Sequence, residues 1–199
     1  MIARPRTGRR IFMVKTCTFF IIIFLISVAT LSGAHGALEF SASLIVSPTG
    51  LTPYAGKIFV KGQKIRQEHS GPGGTQIMIF RPDIQVTWIL TKPGNMCMQM
   101  PYLASDNPFG EWTTLKSKSA KFVGKEVFRG MPCSKYQAVE DGIDTLYWIS
   151  DQLFFPVKIQ NRDETIECEN IQRCRLEDSL FEIPASYRKT INTIAPPEE

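Results

Sequence analysis

From Ala37 onward the chain is a succession of short segments in which apolar and polar residues alternate, and this period of two constrains the fold more than any other feature. Residues two apart share one face of a strand, so such segments form half-buried strands rather than helices. Leu38, Phe40, Ala42, Leu44 and Val46 alternate with Glu39, Ser41, Ser43, Ile45 and Ser47, and Pro48-Thr49-Gly50 ends the segment as a turn. Residues 54–61 place Ile58 and Val60 opposite Lys57, Phe59 and Lys61. Ile84, Val86, Trp88 and Leu90 alternate with Gln85, Thr87, Ile89 and Thr91, and Met96, Met98 and Met100 alternate with Cys97 and Gln99. Further strands are predicted at 64–69, 75–80, 121–128, 133–139, 144–149, 155–160 and 164–171. Gly, Pro and Asp turns join many of them, the pattern of an antiparallel meander. Such a sheet must shelter one apolar face, by strong curvature or by a cover.

The first 36 residues are of another kind. Five cations (Arg4, Arg6, Arg9, Arg10, Lys15) and no acid precede an apolar run from Phe19 to Leu31, and Ala34 and Gly36 stand at −3 and −1 of a cut before Ala37. This is the tripartite pattern of a secretory signal. Thr16 to Ala34 is also an uncharged run of 19 residues, near the ~20 of a membrane span, so an uncleaved inner-membrane anchor is the alternative. Arg9-Arg10 resembles a twin-arginine export signal, although the apolar run favours general secretion, and Met13 is a second possible start. The chain therefore divides into a leader, 1–36, and one domain, 37–199, bound for the periplasm or the exterior.

Removing the leader changes the electrostatic class. The whole chain carries 23 cations and 19 acids; without the leader, 18 cations face 19 acids, a net charge of −1. That excludes a bulk electrostatic attraction to nucleic acid. Four cysteines remain, Cys97, Cys133, Cys168 and Cys174. An even number in an exported chain favours disulfides, and of the three possible pairings Cys97–Cys133 with Cys168–Cys174 is preferred, although spacing does not decide it. No C-x-x-C occurs and His69 is the sole mature histidine, so neither a zinc site nor another metal or cofactor is expected. For the same reason a Ser-His-Asp or Cys-His arrangement has only His69 to use, and no G-x-S-x-G, H-E-x-x-H or phosphate loop is present. A non-enzymatic protein is expected. A hydrolase relying on His69 is the weak rival.

Residues 102–118 break the alternation. They contain Asn107-Pro108 and Gly110, and Tyr102, Leu103, Phe109, Trp112 and Leu115 follow no strand period. A connection of this length in a compact domain is either a functional lid or a surface loop packing its own aromatics on the sheet. Leu103, Phe109, Trp112 and Leu115 are its candidate lid contacts.

Three stretches, "GKIFVKGQKIRQE", "RPDIQVTWIL" and "MCMQMP", with the later "YWISDQLFFPVKI" and "SLFEIPASY", resemble exported bacterial domains of unknown function related to the outer-membrane lipoprotein carrier. The resemblance spans nearly all of the mature chain and rests on structural motifs. It implies a mainly β fold, a strongly curved antiparallel sheet forming an open half-barrel whose concave face is covered by a short helical or loop lid. It also implies carriage of a lipid or other apolar group, with Arg66 at the position of an arginine that contacts the lid and Trp88 at that of a strand tryptophan.

The residues themselves offer a lining. Met96, Met98 and Met100 put flexible thioethers on one face, suited to variable acyl chains or to filling an ordinary core. Ile84, Val86, Trp88 and Leu90, one hairpin away, are expected to share their cavity or core, as are Phe40, Leu44, Ile58 and Val60. Arg66 with Glu68, two apart on one face, is either a polar gate at the mouth or an exposed ion pair. The expectation is a periplasmic carrier of a lipid or acyl-chain ligand; the alternative is an interaction module with a filled core that docks an envelope protein. Oligomeric state is not legible.

Overall fold

The computed structural model describes residues 38–71, 73–110, 120–140 and 142–191. The leader, with its cleavage site, lies outside them, as do Trp112 and Leu115. The described residues all belong to one compact unit.

Twelve strands make one open sheet in the order β12-β6-β5-β4-β3-β2-β1-β11-β10-β9-β8-β7. Strand β1 (Glu39–Pro48) lies at its centre because its alternation is the cleanest: Phe40, Ala42, Leu44 and Val46 are all buried on one side. It pairs with β2 (Tyr54–Lys61) on one edge and β11 (Glu164–Arg173) on the other. One wing continues as a meander through β3 (Lys64–Gly71), β4 (Gly74–Arg81), β5 (Val86–Thr91) and β6 (Met96–Pro101). The other runs from β11 through β10 (Pro156–Gln160), β9 (Ile143–Ser150) and β8 (Met131–Glu140) to β7 (Lys121–Phe128). The β7–β8 turn has φ 48° at Arg129 and 79° at Gly130, the paired positive values a two-residue hairpin requires. The edge strand β7 carries Lys121 and Lys125 and is bulged between Phe122 and Gly124, both features that oppose edge-to-edge pairing. The predicted open half-barrel is the observed fold.

Curvature shelters the inner face. Its main cluster joins Phe40, Leu44, Ile58, Val60, Ile65 and Phe80 to Tyr147, Phe155, Ile159, Ile166 and Cys168. A second cluster occupies the outer face of β4–β6, where Ile77, Ile79, Trp88, Leu90 and Cys97 are covered by Leu176 and Phe181. This cover is the segment after β11, which includes a 3-10 turn (Asp178–Phe181) and ends in β12 (Arg188–Ile191), parallel to β6. Cations from three successive strands hold its carbonyls: Lys61 Nζ donates to Leu176 O at 2.8 Å, Arg66 Nη1 to Leu180 O at 2.9 Å and Arg81 Nη1 to Phe181 O at 3.0 Å. In the sequence this segment shows only as the stretch "SLFEIPASY", and its place on the outer face was not legible.

The cysteine pairing is corrected. Cys97, Cys133, Cys168 and Cys174 are all free thiols. Cys97 belongs to the outer cluster and Cys133 to the main one. Cys168 stands opposite Leu44 on the inner face, whereas Cys174 is exposed with its Sγ 3.8 Å from Ser41 Oγ. Neither preferred pair meets the close approach a disulfide needs.

Candidate functional site

Register assembles a row on the inner face that crosses six strands. Ala42 faces Ile58, Ile58 faces Gln67, Gln67 faces Met78, Met78 faces Ile89 and Ile89 faces Met98. The row changes character along its length. Ile58 is fully buried in the main core, whereas Met78, Ile89 and Met98 are only half-buried. Met100 continues this surface opposite Thr87. Two thioethers flanking a β-branched side chain make a deformable apolar strip, suited to chains without fixed shape.

The strip borders a recess of about 590 Å³, within the ~300–1,000 Å³ of small-ligand sites. Met78, Tyr54, His69, Gln76 and Thr91 line it. The Tyr54 and His69 rings meet edge to face at 5.5 Å. Gly56 makes room for the imidazole; a Cβ there would collide with His69 Nδ1 and the Glu68 carbonyl. Burial lowers the His69 pKa, so the ring is held neutral. Its Nδ1 is buried without a hydrogen-bond partner, as are Gln67 Nε2 and Thr87 Oγ1 on the same face. Each such orphan costs on the order of 1–3 kcal/mol, a cost that a polar ligand atom or water offsets. Of these three only His69 lines the recess: Gln67 belongs to the Met78 row and Thr87 to the row beyond it, opposite Phe80 and Met100. The recess thus sets one apolar contact, Met78, beside a polar wall of Tyr54, His69, Gln76 and Thr91.

At the other end of the sheet a second pocket, about 310 Å³, is lined by Leu38, Ile65, Tyr102, Phe109, Phe155 and Pro156 among others. Phe109 stacks on Phe155 at 5.2 Å, and Phe155 meets Phe40 edge to face at 5.1 Å. Asn107, fully buried, positions this plug by accepting the Phe109 amide at 3.2 Å, and residues 108–110 begin a helical turn. The segment read as a lid thus does contact the inner face through Phe109, while Leu103 is exposed.

The expected lining residues do not share one surface. Phe40, Leu44, Ile58 and Val60 are in the main inner core, and Met98 and Met100 are on the inner face beside them. Val86, Trp88 and Leu90 point the opposite way, into the outer cluster, because Leu90 pairs with Cys97 and Trp88 with Gln99. Trp88 Nε1 donates to Gln99 Oε1 at 2.9 Å. Ile84 is not in a strand: it ends a 3-10 turn (Pro82–Ile84) and is exposed, and Met96 is exposed at the start of β6. Arg66 is on the outer face, bound to Glu68 and to the covering segment rather than standing at a cavity mouth. Met78, Ile89 and Gln67 were missed. Their register with Met98 was hidden because β4 is apolar on both faces and the buried phase of β5 is set by its outer cover.

Among the described residues no cluster of His, Cys, Asp or Glu could hold a metal ion, and no helix is long and apolar enough to cross a membrane. No protein-family model and no curated protein matches the chain. Solved structures do. An uncharacterized conserved protein from Thermus thermophilus superposes with TM-score 0.57 at 11% identity, over 78% of this chain and 91% of that one. PNGF-II aligns with TM-score 0.52 at 11% identity, over 78% of this chain but only 31% of its own. A LolA superfamily protein from Nitrosomonas europaea is also similar, with TM-score 0.42 and 10% identity over 72% of this chain and 90% of that one. At 11% identity, the likeness to the first two is one of fold.

Proposed function

We propose that this protein is a non-enzymatic carrier of an amphipathic lipid-like ligand in the bacterial envelope, reached by export with the leader removed. The observation that carries the reading is the half-buried row Met78, Ile89 and Met98, in register across three strands, whose first member, Met78, also lines the recess at His69 and Tyr54. The acyl chain lies along the row. The polar end of the ligand meets the His69 imidazole, whose buried Nδ1 has no partner, with Tyr54, Gln76 and Thr91 as the other polar groups lining the recess. Shielding is the mechanism: burial gains ~0.8 kcal/mol per methylene, so about ten methylenes give several kcal/mol before ordering costs.

Native mass spectrometry of the protein from its own envelope, with mass analysis of an organic extract, tests this. A reproducible lipid adduct that is lost in Met98→Asp supports the reading. If neither a native adduct nor added fatty acid or phospholipid binds, the reading fails. The rival, a packed module that docks an envelope protein, is favoured by the Phe109–Phe155–Phe40 ring contacts, which place three aromatics against one another on the inner face.

A further inference from the structure

We propose that the end of the half-barrel bearing Ile84, Leu103 and Phe154 is a membrane-contacting surface that inserts into a neutral lipid interface, a role independent of what the inner face binds. The three are large, apolar and exposed, Phe154 at 76%, Leu103 at 56% and Ile84 at 49%. They lie on three loops that converge. Tyr102 N donates to Gln85 O at 3.1 Å, which brings the neighbours Leu103 and Ile84 to one place. Phe154 lines the same 310 Å³ pocket as Pro82, Tyr102 and Ala104, which belong to the loops that carry Ile84 and Leu103, so the three loops border one recess.

Phe154 is held outward by construction. Its backbone is left-handed, φ 53°, a conformation that costs a bulky residue of order 1–3 kcal/mol. The turn imposes it: Phe154 N donates to Ser150 O at 2.8 Å, Ser150 N donates to Phe155 O at 3.0 Å, and the buried Ser150 Oγ accepts the amides of Gln152 and Leu153 at 3.3 Å. Leu153 and Phe155 are thereby buried and Phe154 is left in water. A rigid turn that strains an aromatic residue in order to expose it is what an anchor needs, since insertion then costs little further ordering.

Charge selects the partner. Among the described residues, Arg81 is matched by Asp83 and Lys125 by Asp151 near this rim, while Arg173, whose Nη2 donates to Gln152 O at 2.6 Å, has no carboxylate partner and is offset in net charge by the exposed Asp106. A basic patch that would seek anionic headgroups is not formed by these groups, so attraction is apolar and the surface suits zwitterionic lipid. Separate projecting tips around a recess also suit a deformable bilayer better than a flat protein face.

Depth-dependent quenching locates the contact. Phe154→Trp is introduced into the full chain, and Leu51→Trp into a second copy; Leu51 is 72% exposed in the β1–β2 turn at the opposite end of the sheet. Each is mixed with phosphatidylcholine vesicles carrying brominated acyl chains, and the emission of the parent is subtracted. The expected result is a blue shift and quenching of the tryptophan at 154 and neither at 51. That quenching is unchanged when salt or phosphatidylglycerol is added, and it is lost when Leu103→Asp and Ile84→Asp are added. An unquenched tryptophan at 154, equal quenching at 51, or quenching that survives both aspartates overturns the proposal. All four positions are exposed, and matched thermal unfolding of each variant confirms that the fold is retained.

Discussion

Ile89 stands directly opposite Met98 on the inner face, while its chain neighbours Trp88 and Leu90 are buried in the outer cluster. Two adjacent residues of one strand therefore serve different layers, and substitutions at the two faces must fail differently. Leu90→Asp places an unpaired charge at a fully buried position and is expected to prevent folding. Leu90→Ala costs roughly 2–5 kcal/mol. Met98→Asp, at a half-buried site, keeps a cooperative transition by circular dichroism and abolishes binding of a fluorescent fatty acid. Unfolding of Met98→Asp would show that this row is core and not lining.

Arg81 ties the covering segment to the sheet. Its side chain is 8% exposed, donates to both oxygens of Asp83 at 2.8 Å, and bridges to Glu182 at 2.6 Å as well as to the Phe181 carbonyl. Removing it leaves the Phe181 carbonyl and two carboxylates, Asp83 and Glu182, without their partner; because both carboxylates are partly solvated, Arg81→Met is expected to cost roughly 1–3 kcal/mol in urea unfolding. The hydrogen bond from Arg81 holds the Asp83 carboxyl below its ordinary value. A carboxylate with a depressed folded pKa contributes stability that is complete above its unfolded pKa, about 4, and is lost as pH falls through the folded value. Asp83→Asn should therefore flatten the pH dependence of stability below about pH 4. An unchanged acid limb would mean that the clamp contributes nothing there.

Much of this fold was legible because alternation survives wherever one face of a strand is buried. The centre of the sheet, β1, was readable to within one residue at each end. The site was readable only in part, for a physical reason: the sheet is buried on its inner face along β1–β3 and on both faces along β4–β6. Where both faces are apolar, as at Ile77, Met78, Ile79 and Phe80, the period no longer tells inside from outside. The Trp88 phase was accordingly assigned to the cavity when it belongs under Phe181. The cover itself, Leu176 to Ile191, carries no periodic signal, since carbonyls held by Lys61, Arg66 and Arg81 leave no pattern in the sequence.

The thiols should separate sharply by reactivity. Burial pushes Cys168 up to about 12 and raises Cys97 and Cys133 as well, whereas Cys174 is exposed. Because the thiolate is the nucleophile, iodoacetamide at neutral pH is expected to label Cys174 rapidly and Cys97, Cys133 and Cys168 only after denaturation. Peptide mapping reads this directly. A Cys97–Cys133 or Cys168–Cys174 cross-link in non-reduced peptides would contradict the arrangement described.

His69 provides the pH test of the recess. Burial lowers its folded pKa below the ordinary 6.5, so between the two values the unfolded chain binds more protons than the folded one. Stability therefore rises with pH through this window and falls as the solution is acidified from about pH 6.5, until the folded imidazole itself protonates. His69→Gln keeps a polar group against Gly56 and Tyr54 but cannot titrate, so its urea midpoint should be nearly flat from pH 7 to 5 where the parent declines. If the neutral ring also receives the polar end of the ligand, fatty-acid affinity in the parent should change over the same interval and in His69→Gln should not. Identical slopes in the two proteins would show that the imidazole is solvated, and the polar end of the recess would then have to be sought at Tyr54, Gln76 and Thr91, its other polar lining.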